Sequence, residues 1–107
     1  SFDGDIKIEI VEQSRNTDKY AILDRSKLDR ELVIRKPILG DFFYPFGMKG
    51  KKKLSKYFKD EKYSLVDKEN QWLLCSGEKI VWVIGKRVDR RFAASEKKEN
   101  PLILKLS

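Results

Sequence analysis

The chain has 107 residues, 40% of them hydrophobic and 38% charged, and a formal net charge of +7. That length and apolar content suffice for one domain with its own core over residues 1–107, and apolar residues gathered into strand-sized runs argue against disorder. With no histidine and a single cysteine, Cys75, the chain lacks a histidine base and the usual zinc ligands, so no catalytic residue and no metal site is assigned and an intramolecular disulfide is excluded.

In chain order, Ile6, Ile8 and Ile10 alternate with Lys7 and Glu9, the period-two pattern of a half-buried strand. The chain begins at Ser1 and enters this pattern within a few residues, which suggests a piece of a larger protein. A turn at Asn16-Thr17-Asp18 leads to a second strand over residues 20–23, a further turn over 24–27, and a third strand over 31–36 that places Arg35 just before the next segment.

Residues 40–59 organise the rest, because they hold six lysines and, after Asp41, no acid. Residues 40–50, with three glycines, Pro45 and the aromatics Phe42, Phe43, Tyr44 and Phe46, predict a structured loop that folds back over the core and packs its aromatics. A helix is expected over about residues 51–60, with Leu54, Tyr57 and Phe58 as its apolar stripe and Lys52, Lys56 and Lys59 opposite. Lys51, Lys52 and Lys53 at its start and Asp60 and Glu61 at its end would oppose the helix dipole, which motivates a phosphate site at its N-terminus. A solvated lysine face is the alternative reading of the same run.

Residues 61–71 are polar and predict an irregular connection. Residues 72–75, a turn at Ser76-Gly77-Glu78 and the continuously apolar residues 80–84 make a strand-turn-strand unit whose second member is central. Trp72 and Trp82 lie inside these runs and are expected to be buried, and Cys75 to be a small core residue. Lys86, Arg87, Arg90 and Arg91 form a second cationic patch around Asp89, and Leu102, Leu104 and Leu106 mark a closing strand after the charged linker 95–100. The sum is a mainly β fold bordering on α+β: a sandwich-like or partly open barrel of short strands with one short basic helix.

The glycines do not supply the G-x-x-x-x-G-K-[ST] spacing of a phosphate-binding P-loop. No apolar run approaches the roughly 18–20 residues that cross a bilayer, and a reducing, cytoplasmic setting is expected.

Gly40-Asp41-Phe42, followed by Pro45-Phe46-Gly47-Met48-Lys49-Gly50-Lys51-Lys52-Lys53-Leu54-Ser55-Lys56-Tyr57-Phe58, resembles the signature of the C-terminal domain of tRNA(Ile)-lysidine synthetase. Ile80-Val81-Trp82-Val83-Ile84-Gly85-Lys86-Arg87 resembles that family's second block, so that family-like blocks cover about residues 32–60 and 78–92. The chain departs from the pattern at Tyr63-Ser64-Leu65 and Lys68-Glu69-Asn70, where many relatives carry an Ile-Pro and an arginine.

The resemblance implies a fold similar to a β-rich module of the phenylalanyl-tRNA synthetase beta subunit. It also implies a parent ligase that uses ATP and Mg to adenylate the wobble cytidine of isoleucine tRNA and then attaches lysine. That chemistry belongs to an N-terminal PP-loop domain whose Ser-Gly-Gly-x-Asp-Ser motif is absent here, so this piece is expected to be non-catalytic and to hold no cofactor. Its implied partners are the tRNA(Ile) acceptor arm and its own catalytic domain, with neither DNA nor membrane. The tRNA-binding candidates are Lys49, Lys51, Lys52, Lys53, Lys56, Arg87, Arg90 and Arg91, while Gly40, Asp41, Pro45, Gly47 and Gly50 shape the loop. A general basic RNA-binding module and a protein-interaction domain for an acidic partner remain as alternatives.

Overall fold

A computed structural model describes residues 6–107, so the first five residues of the expected 1–107 unit lie outside the described residues. The strands are β1 (Ile8–Val11), β2 (Tyr20–Leu23), β3 (Leu32–Arg35), β4 (Phe42–Phe43), β5 (Lys52–Lys53), β6 (Leu73–Ser76), β7 (Lys79–Val83), β8 (Arg87–Val88) and β9 (Leu102–Leu106). Two α-helices, α1 (Leu54–Asp60) and α2 (Leu65–Asn70), lie between β5 and β6. Among the described residues the strands make three sheets, ordered β1-β9-β2, β3-β6-β7-β8 and β4-β5, all antiparallel and none closed into a barrel.

The middle sheet is covered on both faces. On one side Leu74, Val81 and Trp82 pack with Ala21, Leu23, Leu102 and Leu104 of the three-stranded sheet. On the other side Leu73, Cys75, Ile80 and Val83 pack with Phe43 of β4 and with Leu54, Tyr57 and Phe58 of α1. Double coverage explains the continuously apolar sequence of β7, because no position of that strand faces water after Lys79. A register shift between Leu74 and Cys75 inserts an extra residue into β7, and this bulge lets the consecutive Val81 and Trp82 join the same core. Trp82 is fully buried, Trp72 half-buried, and the Cys75 thiol, also buried, has its pKa pushed up by that burial.

Two expectations need correction. The connection over residues 61–71 is not irregular, because it contains α2. The Ser64 side chain accepts from the Asp67 amide while the Asp67 carboxylate accepts from the Ser64 amide, a capping box that satisfies two otherwise orphaned donors. α2 buries none of its residues, so its start rests on that box and not on an apolar stripe.

The second correction concerns the basic helix, which begins at Leu54 and not at residue 51. Lys52 and Lys53 are in β5, and the Leu54 amide donates to the Asp41 carbonyl at 2.9 Å. Lys51, Lys52 and Lys53 therefore precede the first helical turn, with Lys53 as its N-cap. At the other end the chain leaves α1 through Lys62 at φ 59, with Tyr63 N–H bonded to Phe58 O at 2.9 Å and Lys62 N–H to Lys59 O at 3.0 Å. This is a Schellman arrangement without glycine, and the Phe58 and Tyr63 rings that stack at 4.4 Å supply its apolar contact.

Candidate nucleic-acid interface

The lysine segment is a hairpin. β4 and β5 pair Phe42 with Lys53 and Phe43 with Lys52, and directly opposed residues of an antiparallel pair share a face. Phe43 points into the core, where its ring meets Tyr57 edge-on at 5.2 Å. Its cross-strand neighbour Lys52 is drawn to the same side, largely buried along its stem, and its ammonium pairs with Asp60. That pair holds the Asp60 carboxyl below the usual range, through the Lys52 hydrogen bond first, and it explains how an acid is tolerated at the C-terminal end of α1.

On the opposite face Phe42 and Lys53 are exposed, and the Lys51 ammonium lies 4.6 Å from the Phe42 ring centroid. Lys49, Lys53 and Lys56 are exposed and form no ion pair among the described residues. The hairpin tip turns through Gly47 at φ 84 and Gly50 at φ 71, conformations that glycine adopts without steric cost. At the base, Asp41 accepts both guanidinium branches of Arg35 at 2.9 Å and the Ile38 amide at 2.8 Å. Burial pushes the Asp41 carboxyl up, but Arg35 and the Ile38 amide outweigh it and hold the group below its ordinary value.

The second cationic segment is joined to this hairpin along its backbone. Phe46 N–H donates to Val88 O at 2.9 Å, Arg90 N–H donates to Tyr44 O at 2.8 Å, and Pro45 and Asp89 form a β-bridge. Asp89, fully buried, is the centre of the joint. Its Oδ2 accepts from Tyr44 N–H and Arg91 Nη2, each at 2.9 Å, and its Oδ1 accepts from Arg91 N–H at 2.8 Å and Arg91 Nε at 3.0 Å. The Arg91 guanidinium then lies 4.3 Å from the Tyr44 ring centroid, with Arg90 at 5.5 Å, and Arg87 Nη1 donates to Phe46 O at 2.9 Å.

The two basic stretches, far apart in sequence, thus lie side by side. Lys49, Lys51, Lys53 and Lys56 remain available from the first and Arg90 from the second, whereas Lys52 and Arg91 are tied to carboxylates and Arg87 braces the loop. The sequence reading missed Asp89 and Tyr44 as the pieces that fix this surface. The available signal was a lone acid inside a basic run, which burial with an arginine partner explains. Of the loop aromatics, Phe43 is buried, while Phe42 and Phe46 are 41% and 55% exposed, so the expected packing covers only part of the set.

Fold and surface together define a class: a mainly β module in which a lysine-bearing hairpin is joined to a neighbouring arginine-bearing segment. The chain belongs to the TilS substrate C-terminal domain family, whose model matches residues 32–103. It is 54% identical over 86 residues to a tRNA(Ile)-lysidine synthase from Parabacteroides distasonis and 49% identical over 86 residues to one from Bacteroides thetaiotaomicron. Each match takes in 80% of this chain and 20% of the relative, so the chain spans about a fifth of the length of these relatives. A crystal structure of a TilS C-terminal domain superposes with a TM-score of 0.77 over 95% of this chain and 82% of that one, at 19% identity, which establishes the shared fold.

Among the described residues no group of three or more His, Cys, Asp or Glu side chains could hold a metal ion. No helix among them is long and apolar enough to cross a membrane.

Proposed function

We propose that this chain, as one domain, recognises the acceptor stem of isoleucine tRNA for an ATP-dependent ligase that converts the wobble cytidine to lysidine. The observation that carries the reading is the Asp89 joint, which binds the loop of the lysine hairpin to the arginine segment. Family membership and the names of the relatives support the choice of RNA.

An A-form stem has a major groove too deep and narrow for side chains to read, so recognition there runs through phosphates, minor-groove hydroxyls and shape. Lys49, Lys51, Lys53, Lys56 and Arg90 would contact phosphates, with Arg87 beside them, while Lys52 and Arg91 hold the contact surface in shape from their carboxylate partners. ATP and Mg would act in the catalytic domain of the parent ligase, which is this chain's partner, in the cytoplasm.

Fluorescence anisotropy with labelled isoleucine tRNA, its acceptor minihelix and an unrelated hairpin, across a salt series, tests the reading. The minihelix should bind as tightly as intact tRNA, with log affinity falling by roughly 0.7–0.9 per decade of salt for each phosphate contacted. Equal binding to the unrelated hairpin would reduce the domain to a general RNA binder. No binding to any RNA at low salt would turn the cationic face toward an acidic protein partner.

A further inference from the structure

We propose that the open cavity between the turn following β1 and Phe46 receives one unpaired nucleobase that adjoins the end of the RNA duplex; this rests on the RNA-binding reading above. The cavity has a volume of about 530 Å³ and is lined by Arg15, Asn16, Tyr20, Ile22, Phe46 and Val88, among others. That size falls within the roughly 300–1,000 Å³ of pockets that take small ligands.

Its walls suit a base. Phe46 is 55% exposed, and its backbone is anchored, since its N–H is bonded to Val88 O and its carbonyl accepts from Arg87 Nη1. An exposed aromatic on an anchored backbone is not a packing requirement, and it offers a face on which a base can stack. Ile22 and Val88 give an apolar floor, and Asn16 offers the amide chemistry that pairs with base edges. The opposite wall is also ordered, because Thr17 N–H bonds Arg15 O at 2.8 Å and Lys19 N–H bonds Thr17 Oγ1 at 3.3 Å.

Position selects the occupant. Phe46 belongs to the hairpin that carries Lys49 and Lys51, and its backbone is bonded to the strand that carries Arg87. A duplex on the cationic face that ended at this cavity would place its first unpaired nucleotide against Phe46, and Arg15 in the cavity lining would supply positive charge for that nucleotide's phosphate. A base inside a duplex is already stacked on its neighbours, so only an unpaired one gains from Phe46.

The test compares the 107-residue chain on two minihelices of the same stem, one blunt and one extended at its 3′ end by unpaired nucleotides, the first of them 2-aminopurine. The extended duplex should bind about 5- to 150-fold more tightly, the weight of one stacked base, with quenched 2-aminopurine fluorescence. Phe46→Ala should collapse both the ratio and the quench, and Phe46→Trp should keep them. Equal affinity for the two duplexes would overturn the cavity assignment while leaving the cationic face as the RNA site. An extension preference that survives Phe46→Ala would move the base elsewhere and overturn it as well. If neither duplex binds, both this site and the RNA-binding reading fall.

Discussion

Replacing Asp89 with asparagine tests whether the buried carboxylate holds the two cationic segments together. The carboxylate accepts four hydrogen bonds, two on each oxygen. An asparagine amide has one oxygen and one NH2 in the same space, so whichever way it is turned, the NH2 meets two donors. Turned one way it faces Tyr44 N–H and Arg91 Nη2; turned the other, Arg91 N–H and Nε. In either case one backbone N–H loses its acceptor, at a cost of about 1–3 kcal/mol. The Arg91 side chain is 31% exposed and can turn to water, so it adds less than a fully buried charge would. The expected total is about 2–3 kcal/mol out of the roughly 5–15 kcal/mol that such a fold has in all. Thermal and urea unfolding followed by circular dichroism should show Tm lowered by about 10–20 °C, at roughly 4–8 °C per kcal/mol for a domain near this size. RNA affinity should also fall, although Asp89 is fully buried and makes no contact with RNA itself. A variant within about 0.5 kcal/mol of the parent, the range of ordinary surface substitutions, would refute the role given to Asp89.

Other perturbations separate neighbouring residues. Lys53→Ala should reduce the log–log salt slope of RNA binding by about 1, as expected for one phosphate contact, whereas Lys52→Ala, by releasing Asp60, should act mainly on the folding of α1; anisotropy and urea unfolding of both variants check this. Asp41 has a folded pKa below its ordinary value of about 3.9, so its contribution to stability is fully present above that pH and is lost as the pH falls through the lowered folded value. Unfolding measured down an acid series should therefore show a loss that Asp41→Asn removes, and an unchanged profile in the variant would contradict it. Ser64→Ala should cost about 1 kcal/mol of local helix stability, read as faster hydrogen exchange at the Lys68 amide, with little change in global unfolding because α2 buries nothing.

The long strands were legible because their burial alternates or is complete. β2, β3 and β9 fall within the stretches read from period-two or continuous apolar patterns, while β1, β6 and β7 overlap them and each runs one residue past, at Val11, Ser76 and Lys79. β4 and β5 were not legible, since two residues each carry no period, and their pairing is set by the glycine-shaped hairpin between them. The same pairing delayed the start of the helix: once Lys52 lies opposite Phe43 it cannot also start α1. α2 was hidden because Leu65 and Val66 are 72% and 61% exposed, so its apolar residues mark no buried face, although Ser64 and Asp67 stood at capping-box spacing.

The candidate interface divides in the same way. Its lysines and arginines were legible as composition, but their adjacency was not, because it depends on contacts between residues 44–46 and 88–91. The roles of Lys52 and Arg91 changed once Asp60 and Asp89 were seen as their partners. A charged side chain read from sequence gives its sign; only the fold says whether that charge is already matched.

The most direct measurement is a two-dimensional 15N–1H NMR titration of the chain with the acceptor minihelix. Amide shifts are expected to move together in the hairpin from Phe46 to Lys56 and in the strand from Lys86 to Arg91, with one affinity for both, while the outer strand β1 stays unmoved. Shifts confined to one of the two segments, or centred on another face of the molecule, would contradict a single RNA surface built across the Asp89 joint.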